Sequence, residues 1–254
     1  MATTSDDVLT PDVVGRLLVE ADGPAVRGIA VLGSVARGEA SEWSDIDVKS
    51  MVGDASDKWP TRPAFIGRRL VMYSSATAIE SWAELGKPDK AIWAAPAFSA
   101  MRILLDRDGE AGRLQMAARS FDYAALRPAA TSYLREAAGH ACEYIFKIRD
   151  GLATRDESKV LHAAGSLIGK CTRLASVAFL VPIRTENEYY RKVGEAAGPA
   201  WTRAHRAAFG LDDGDAFAQA IATCALFRET MRLIDDRLDL PAREIVRRTL
   251  EISP

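Results

Sequence analysis

The apolar periodicity changes character once along the chain, and that change limits the architecture more than any single residue does. Up to about residue 122, short β-type runs alternate with helical stretches. RGIAVLGS (27–34), IDVKSMVG (46–53), AFIGRRLVMYS (64–74) and MRILLD (101–106) read as four strands. Helices are expected at 11–22, 76–85 and about 110–120; the first opens on Pro11 and spaces Val13, Leu17, Leu18 and Ala21 along one face. From Tyr123 onward only Ala-rich helical patterns remain: 130–149, a long one up to Pro182, about 215–238, and a short one before the C-terminus. Thr154 followed by Glu157 reads as a capping box opening the second of these. The expected fold is therefore α/β plus all-α, a mixed sheet with flanking helices over 1–122 and a helical bundle over 123–254.

Composition removes several classes of function. At 254 residues, 48% hydrophobic and 27% charged, the chain is built to bury a core. Its 33 Lys and Arg against 35 Asp and Glu leave a net charge of −2, without the basic excess that a nucleic-acid-coating protein carries, so nucleic acid is not an expected partner. No run of about 18 apolar residues would span a membrane. The first twenty residues lack a basic stretch leading into an apolar one, so no secretory signal is expected there. The three cysteines (Cys142, Cys171, Cys224) are widely spaced and the only histidines are His140, His162 and His205. Neither a zinc site nor a disulfide framework is expected, and a reducing cytoplasm is the expected location.

The chemistry concentrates in VLGSVARGEASEWSDIDV, residues 31–48. Gly33-Ser34 closes a strand; glycine allows a ligand near the backbone, and the following amides with the Ser34 hydroxyl suit phosphate oxygens. Arg37 lies one helical turn on and adds positive charge. Asp45 and Asp47, at i and i+2 of the next strand, point to one face. Two adjacent carboxylates repel, and a hard cation with oxygen ligands, Mg²⁺ or Mn²⁺, keeps both ionised. A phosphate-cradling turn beside such a pair suits in-line attack on a nucleoside triphosphate. Singly, each residue also fits a plainer role: Ser44 capping a turn, Gly33-Ser34 turning the chain, the two aspartates as solvated strand acids. Their order is what those roles leave unexplained. Trp43, between the two motifs, suits surface packing or stacking on a ligand, and Trp59, Trp82, Trp93 and Trp201 read as packing residues.

Gly33-Ser34 followed by Ser44-Asp45-Ile46-Asp47 resembles the polymerase-β-like nucleotidyltransferase superfamily. The helix SYLREAAGHACEYIFKIRD (132–150) carries a polar stripe of Glu136, His140, Glu143, Lys147 and Asp150, with Leu134, Ala138, Ala141, Ile145 and Ile148 behind it. Alone, this reads as a solvent face with a Glu143–Lys147 pair worth about 0.3–0.5 kcal/mol. Following the first motif, the string Glu143-Tyr144-Ile145-Phe146-Lys147-Ile148-Arg149-Asp150 is similar to one in the kanamycin 4′-type aminoglycoside nucleotidyltransferases. That resemblance implies a nucleotidyltransferase domain followed by a helical substrate-binding and dimerisation domain. It also implies ATP or another nucleoside triphosphate as co-substrate, Mg²⁺ or Mn²⁺ on Asp45 and Asp47, and Gly33, Ser34, Arg37, Ser44 and Lys147 as nucleotide contacts. Glu143 would be the general base for a hydroxyl of a small acceptor, in a homodimer that shares its active sites.

One departure stands out. The superfamily places a third carboxylate on the strand after the Asp pair, and Arg68-Arg69-Leu70-Val71-Met72-Tyr73 holds no acid. The expected register puts Val71 in that place. A nucleotide-binding homologue with impaired catalysis, and a transferase acting on protein or tRNA, are the competing readings.

Overall fold

The computed structural model describes residues 8–211 and 214–254. The chain forms two compact units: residues up to Asp122 together with Pro182–Glu186, and Tyr123–Val181 together with Asn187–Pro254.

The first unit is α/β. Helix α1 (Pro11–Ala21) starts where the Thr10 hydroxyl accepts the Val13 amide at 3.3 Å, with Pro11 in the first turn. Then follow β1 (Val26–Leu32), α2 (Gly33–Arg37), β2 (Ile46–Val52), β3 (Arg62–Ile66), β4 (Arg69–Thr77), α3 (Ala78–Gly86), α4 (Pro88–Ala100), β5 (Arg102–Asp106) and α5 (Glu110–Arg119). The five strands lie in the order β3-β4-β2-β1-β5, with β2 and β4 parallel and every other pair antiparallel. Alternation decides the two faces. Ile29, Val31, Ile46, Val48, Val71 and Tyr73 turn into one core with Leu17 and Ala21 of α1. Ala30 and Met51 turn the other way, against Phe98 of α4 and Ala111 and Leu114 of α5.

The run at 64–74 is a hairpin rather than one strand. It turns at Gly67 and Arg68, between the paired residues Ile66 and Arg69, and Gly67 has a φ of +61° that a side chain would resist. Helix α4, over a stretch where no element was expected, opens on Pro88 and carries Pro96 inside.

The second unit is all-helical, with α6 (Arg127–Thr154), α7 (Glu157–Ala178), α8 (Tyr189–Ala197), α9 (Pro199–Ala208), α10 (Ala216–Ile234) and α11 (Leu240–Ile252). Helix α7 packs against both α6 and α10, and Val160, Ala163, Leu167, Cys171 and Leu174 along it are buried. On α6 the apolar set is Leu134, Ala138, Ala141, Ile145 and Ile148, all at 0% exposure, so the polar stripe of that helix faces outward. The start of α7 corrects the expected capping box. Thr154 is the last residue of α6 and its hydroxyl donates to the Asp150 carbonyl at 2.8 Å; the cap of α7 is Asp156, which accepts the Lys159 amide at 3.0 Å. Helices α8 and α9 were not expected. All three cysteines are buried and free, and among the described residues no helix is long and apolar enough to cross a membrane.

His205 of α9 sits in this interior. It lies 3.1 Å from the Thr172 hydroxyl, stacks on Trp201 and meets Tyr190 and Phe209, and burial lowers its pKa from 6.5 to about 4. The unfolded chain therefore binds a proton here that the fold refuses. Stability is full above about pH 6.5 and falls as pH drops towards 4, by on the order of 2–3 kcal/mol. Urea denaturation across that range is expected to show this slope, reduced in the His205→Gln variant.

Candidate functional site

The site begins with a strand register. Leu32, the last residue of β1, pairs with Asp47 near the start of β2. The chain turns immediately after Leu32, so the turn lies on the Asp47 side chain. Gly33 has a φ of +69°, and a Cβ built on it would stand 2.6 Å from Oδ2 of Asp47. Only glycine fits, on both counts. Ser34 and Arg37 complete the short α2, which Gly38 ends at a φ of +74°. The Glu39 amide then donates to the Ser34 carbonyl at 2.9 Å, and Nε of Arg37 donates to Oε2 of Glu39 at 2.7 Å.

The loop between α2 and β2 is clamped. Oγ of Ser44 accepts the Ser41 amide at 2.8 Å, and Nη1 of Arg69, at the start of β4, donates to the carbonyls of Ser41 and Ser44 at 3.0 and 2.9 Å. Ser44 thus holds its own turn. Trp43 does not pack in the loop: it is 89% exposed.

Asp45 is exposed just before β2, and Asp47 is half-buried within it. Burial first, then the Asp45 and Glu186 carboxylates, raise the Asp47 carboxyl above its ordinary range, while Arg37 opposes them. Lys49, next on the same face, lies over the Phe98 ring at 4.7 Å and 3.5 Å from Glu84. Among the described residues no group of three or more His, Cys, Asp and Glu side chains is arranged to hold a metal ion. A pair of carboxylates still fits Mg²⁺ that arrives with a nucleotide, since this ion is commonly held by one or two carboxylates plus substrate phosphates.

The register corrects the place of the missing third acid. In the parallel pairing of β2 with β4, Val71 stands beside Ile46 and Met72 beside Asp47. Ile46 and Val71 are both fully buried in the core. The residue sharing a face with Asp47 is the half-buried Met72, so the strand lacks an acid, but at Met72 and not at Val71.

Sequence reading missed Pro182–Glu186, a segment of the α/β unit. Ile183 is 1% exposed and donates its amide to the Ile92 carbonyl of α4 at 2.7 Å. Arg184 pairs with Glu39, and Glu186 is the acid that acts on Asp47. Nothing local marks these residues, since their meaning comes from a return of the chain.

Glu143 and Lys147 belong to the helical unit. They form an ion pair of 2.5 Å on α6, with Lys147 over the Tyr144 ring at 4.8 Å. The Lys147 hydrogen bond holds the Glu143 carboxyl below its ordinary range. Beside them, between α6 and α7, is a cleft of about 550 Å³ lined by Glu136, His140, Tyr144, Lys170 and Arg173 over Gly165 and Gly169.

The chain matches no known family model and no curated protein sequence. Its fold is similar to the crystal structure of a nucleotidyltransferase-like protein from Exiguobacterium sibiricum, with a TM-score of 0.55 and 12% identity, covering 92% of this chain and 77% of that one. At that identity the likeness speaks for the fold: a nucleotidyltransferase-like α/β unit with a helical region after it.

The β2–β4 register has a direct consequence. Val71→Glu forces a carboxylate into the core and is expected to cost more than about 3 kcal/mol. Met72→Glu places the same group on the open face beside Asp47 and is expected to cost about 1 kcal/mol. Urea denaturation of the two variants reads the difference, and equal costs would contradict the register.

Proposed function

We propose that the protein is a nucleotidyltransferase that moves AMP from ATP to a hydroxyl of a small acceptor, in the presence of Mg²⁺ or Mn²⁺. The observation that carries this reading is the contact of the Gly33 backbone with the Asp47 carboxylate, next to Asp45, in a nucleotidyltransferase-like fold. The open backbone at Gly33-Ser34 and the Arg37 guanidinium bind phosphate oxygens of the nucleotide. Asp45 and Asp47 would hold the cation with those oxygens, and when bound it neutralises the crowded carboxylates and stabilises charge on the transferred phosphorus and the departing pyrophosphate.

The acceptor oxygen attacks the α-phosphorus in line. One P–O bond forms as the bond to the β-phosphate oxygen breaks, and pyrophosphate leaves. The hydroxyl proton goes to Glu143, a step that contributes on the order of 10²–10⁴-fold. Paired with Lys147, Glu143 is ionised but holds a proton weakly. If Lys147 turns to a phosphate, Glu143 loses that partner and becomes a stronger base as the nucleotide binds. An aminoglycoside-like acceptor, a shared site in a homodimer, a role in antibiotic resistance and a cytoplasmic setting follow from the resemblance in sequence alone.

Met72 in place of an acid favours a second reading, a homologue that binds nucleotide without turnover. Mass spectrometry of aminoglycosides incubated with the protein, ATP and Mg²⁺ separates the two. A product heavier by one AMP, with pyrophosphate release reduced at least about 100-fold in Asp47→Asn, is the outcome expected of the enzyme. Unchanged release in that variant would end the metal role of Asp47. Retained ATP binding without product, with turnover gained in Met72→Glu, would favour the second reading.

A further inference from the structure

Two guanidiniums meet on one carboxylate behind the Gly33-Ser34 turn. Nε of Arg37 bonds to Oε2 of Glu39 at 2.7 Å, and Nη2 of Arg184 bonds to Oε1 of the same carboxylate. Glu39 is tied to the turn through its amide, which donates to the Ser34 carbonyl at 2.9 Å. Arg184 is brought there by the buried Ile183 beside it, anchored to Ile92 of α4. Two residues further on, Glu186 adds its charge to the side of Asp45 and Asp47. The segment therefore sends a cation to one half of the site and an anion to the other.

The two arginines differ in exposure. The Arg37 side chain is 8% exposed and fixed, whereas those of Arg184 and Glu39 are 55% and 46% exposed. An ion pair so wet contributes at most about 1 kcal/mol. A guanidinium on phosphate oxygens forms shorter, charge-assisted and often bidentate bonds. Polyphosphate is thus a better partner for Arg184 than Glu39 is, and the backbone that carries Arg184 is anchored.

We infer that Arg184 binds the polyphosphate of the nucleotide, leaving Glu39 for phosphate oxygens, with Arg37 as the fixed cation beside it. The inference deepens the nucleotidyl-transfer reading and rests on it. Arg184 is a binding residue of that site, supplied by a chain segment that no local motif marks. The role of Glu39 follows: it holds the Arg184 guanidinium while the site is empty and competes with phosphate for it.

The test is calorimetric titration of the full chain with inorganic tripolyphosphate and with ATP, each with and without Mg²⁺. Arg184→Gln is expected to weaken tripolyphosphate binding on the order of tenfold, with the unfolding midpoint moved by less than about 2 °C. Arg184→Lys is expected to recover part of the loss. Glu39→Gln removes the competitor and is expected to bind tripolyphosphate at least as tightly as the unaltered chain. If Arg184 only braced Glu39, Glu39→Gln would weaken binding as much as Arg184→Gln does. That result, or unchanged affinity in both Arg184 variants, would overturn the inference while leaving the nucleotide reading intact. An unaltered chain that binds neither tripolyphosphate nor ATP would overturn both.

Discussion

Leu32 and Asp47 stand opposite each other across two central strands, and the next residue after Leu32 has no side chain. That pairing lets the backbone of Gly33 settle onto the Asp47 carboxylate, and the rest of the site is arranged around the contact. What keeps it in place is the hydrophobic core. Ile46 and Val48 flank Asp47 and are 0% and 1% exposed. A slip of one residue would turn both out of the core under α1 and Asp47 into it, so the burial that stabilises the sheet also fixes where the carboxylates point. Arg69 carries the constraint into the loop before Asp45 by binding two of its carbonyls.

Charge then divides the neighbourhood into two parts. On one side, burial first and then the Asp45 and Glu186 carboxylates raise the Asp47 carboxyl. On the other side, Arg37 and Arg184 share Glu39, whose carboxyl lies below its ordinary range because of the Arg37 hydrogen bond first. Arg37 acts on both parts, since it also opposes the rise of the Asp47 carboxyl. On the proposed reading, a polyphosphate accompanied by a divalent cation would engage both at once, the anion meeting the guanidiniums and the cation the carboxylates.

The sequence was informative wherever structure depends on neighbours in the chain. The strand-to-helix order before residue 122, the absence of strands after it among the described residues and the buried face of α6 all follow from periodicity, because each element buries its own stripe. Gly33, Asp45 and Asp47 stood out because a turn and a strand dictate their spacing. The failures have different causes. The hairpin at Gly67 was read as one strand because apolar residues continue through it, and α4 was hidden by Pro88 and Pro96. The position facing Asp47 could not be settled from one strand, since a parallel pairing is set by the tertiary fold; Met72 emerged only from the register. Arg184 and Glu186 were invisible for a stronger reason. They are separated from the residues they meet by more than a hundred positions, and no local pattern encodes such a return.

That return has a consequence for how the protein is made. The α/β unit is discontinuous: its final piece, Pro182–Glu186, leaves the ribosome only after Tyr123–Val181 has followed the first 122 residues out. At about 5–20 residues per second, this delay is roughly 3–12 s. For that time the nascent sheet and its Gly33–Asp47 contact are complete in sequence, while the Ile92 carbonyl lacks its Ile183 donor and Glu39 lacks one of its two cations. The completed neighbourhood of the Gly33–Asp47 contact is thus a late product of synthesis, reached after nearly half of the helical unit has already emerged.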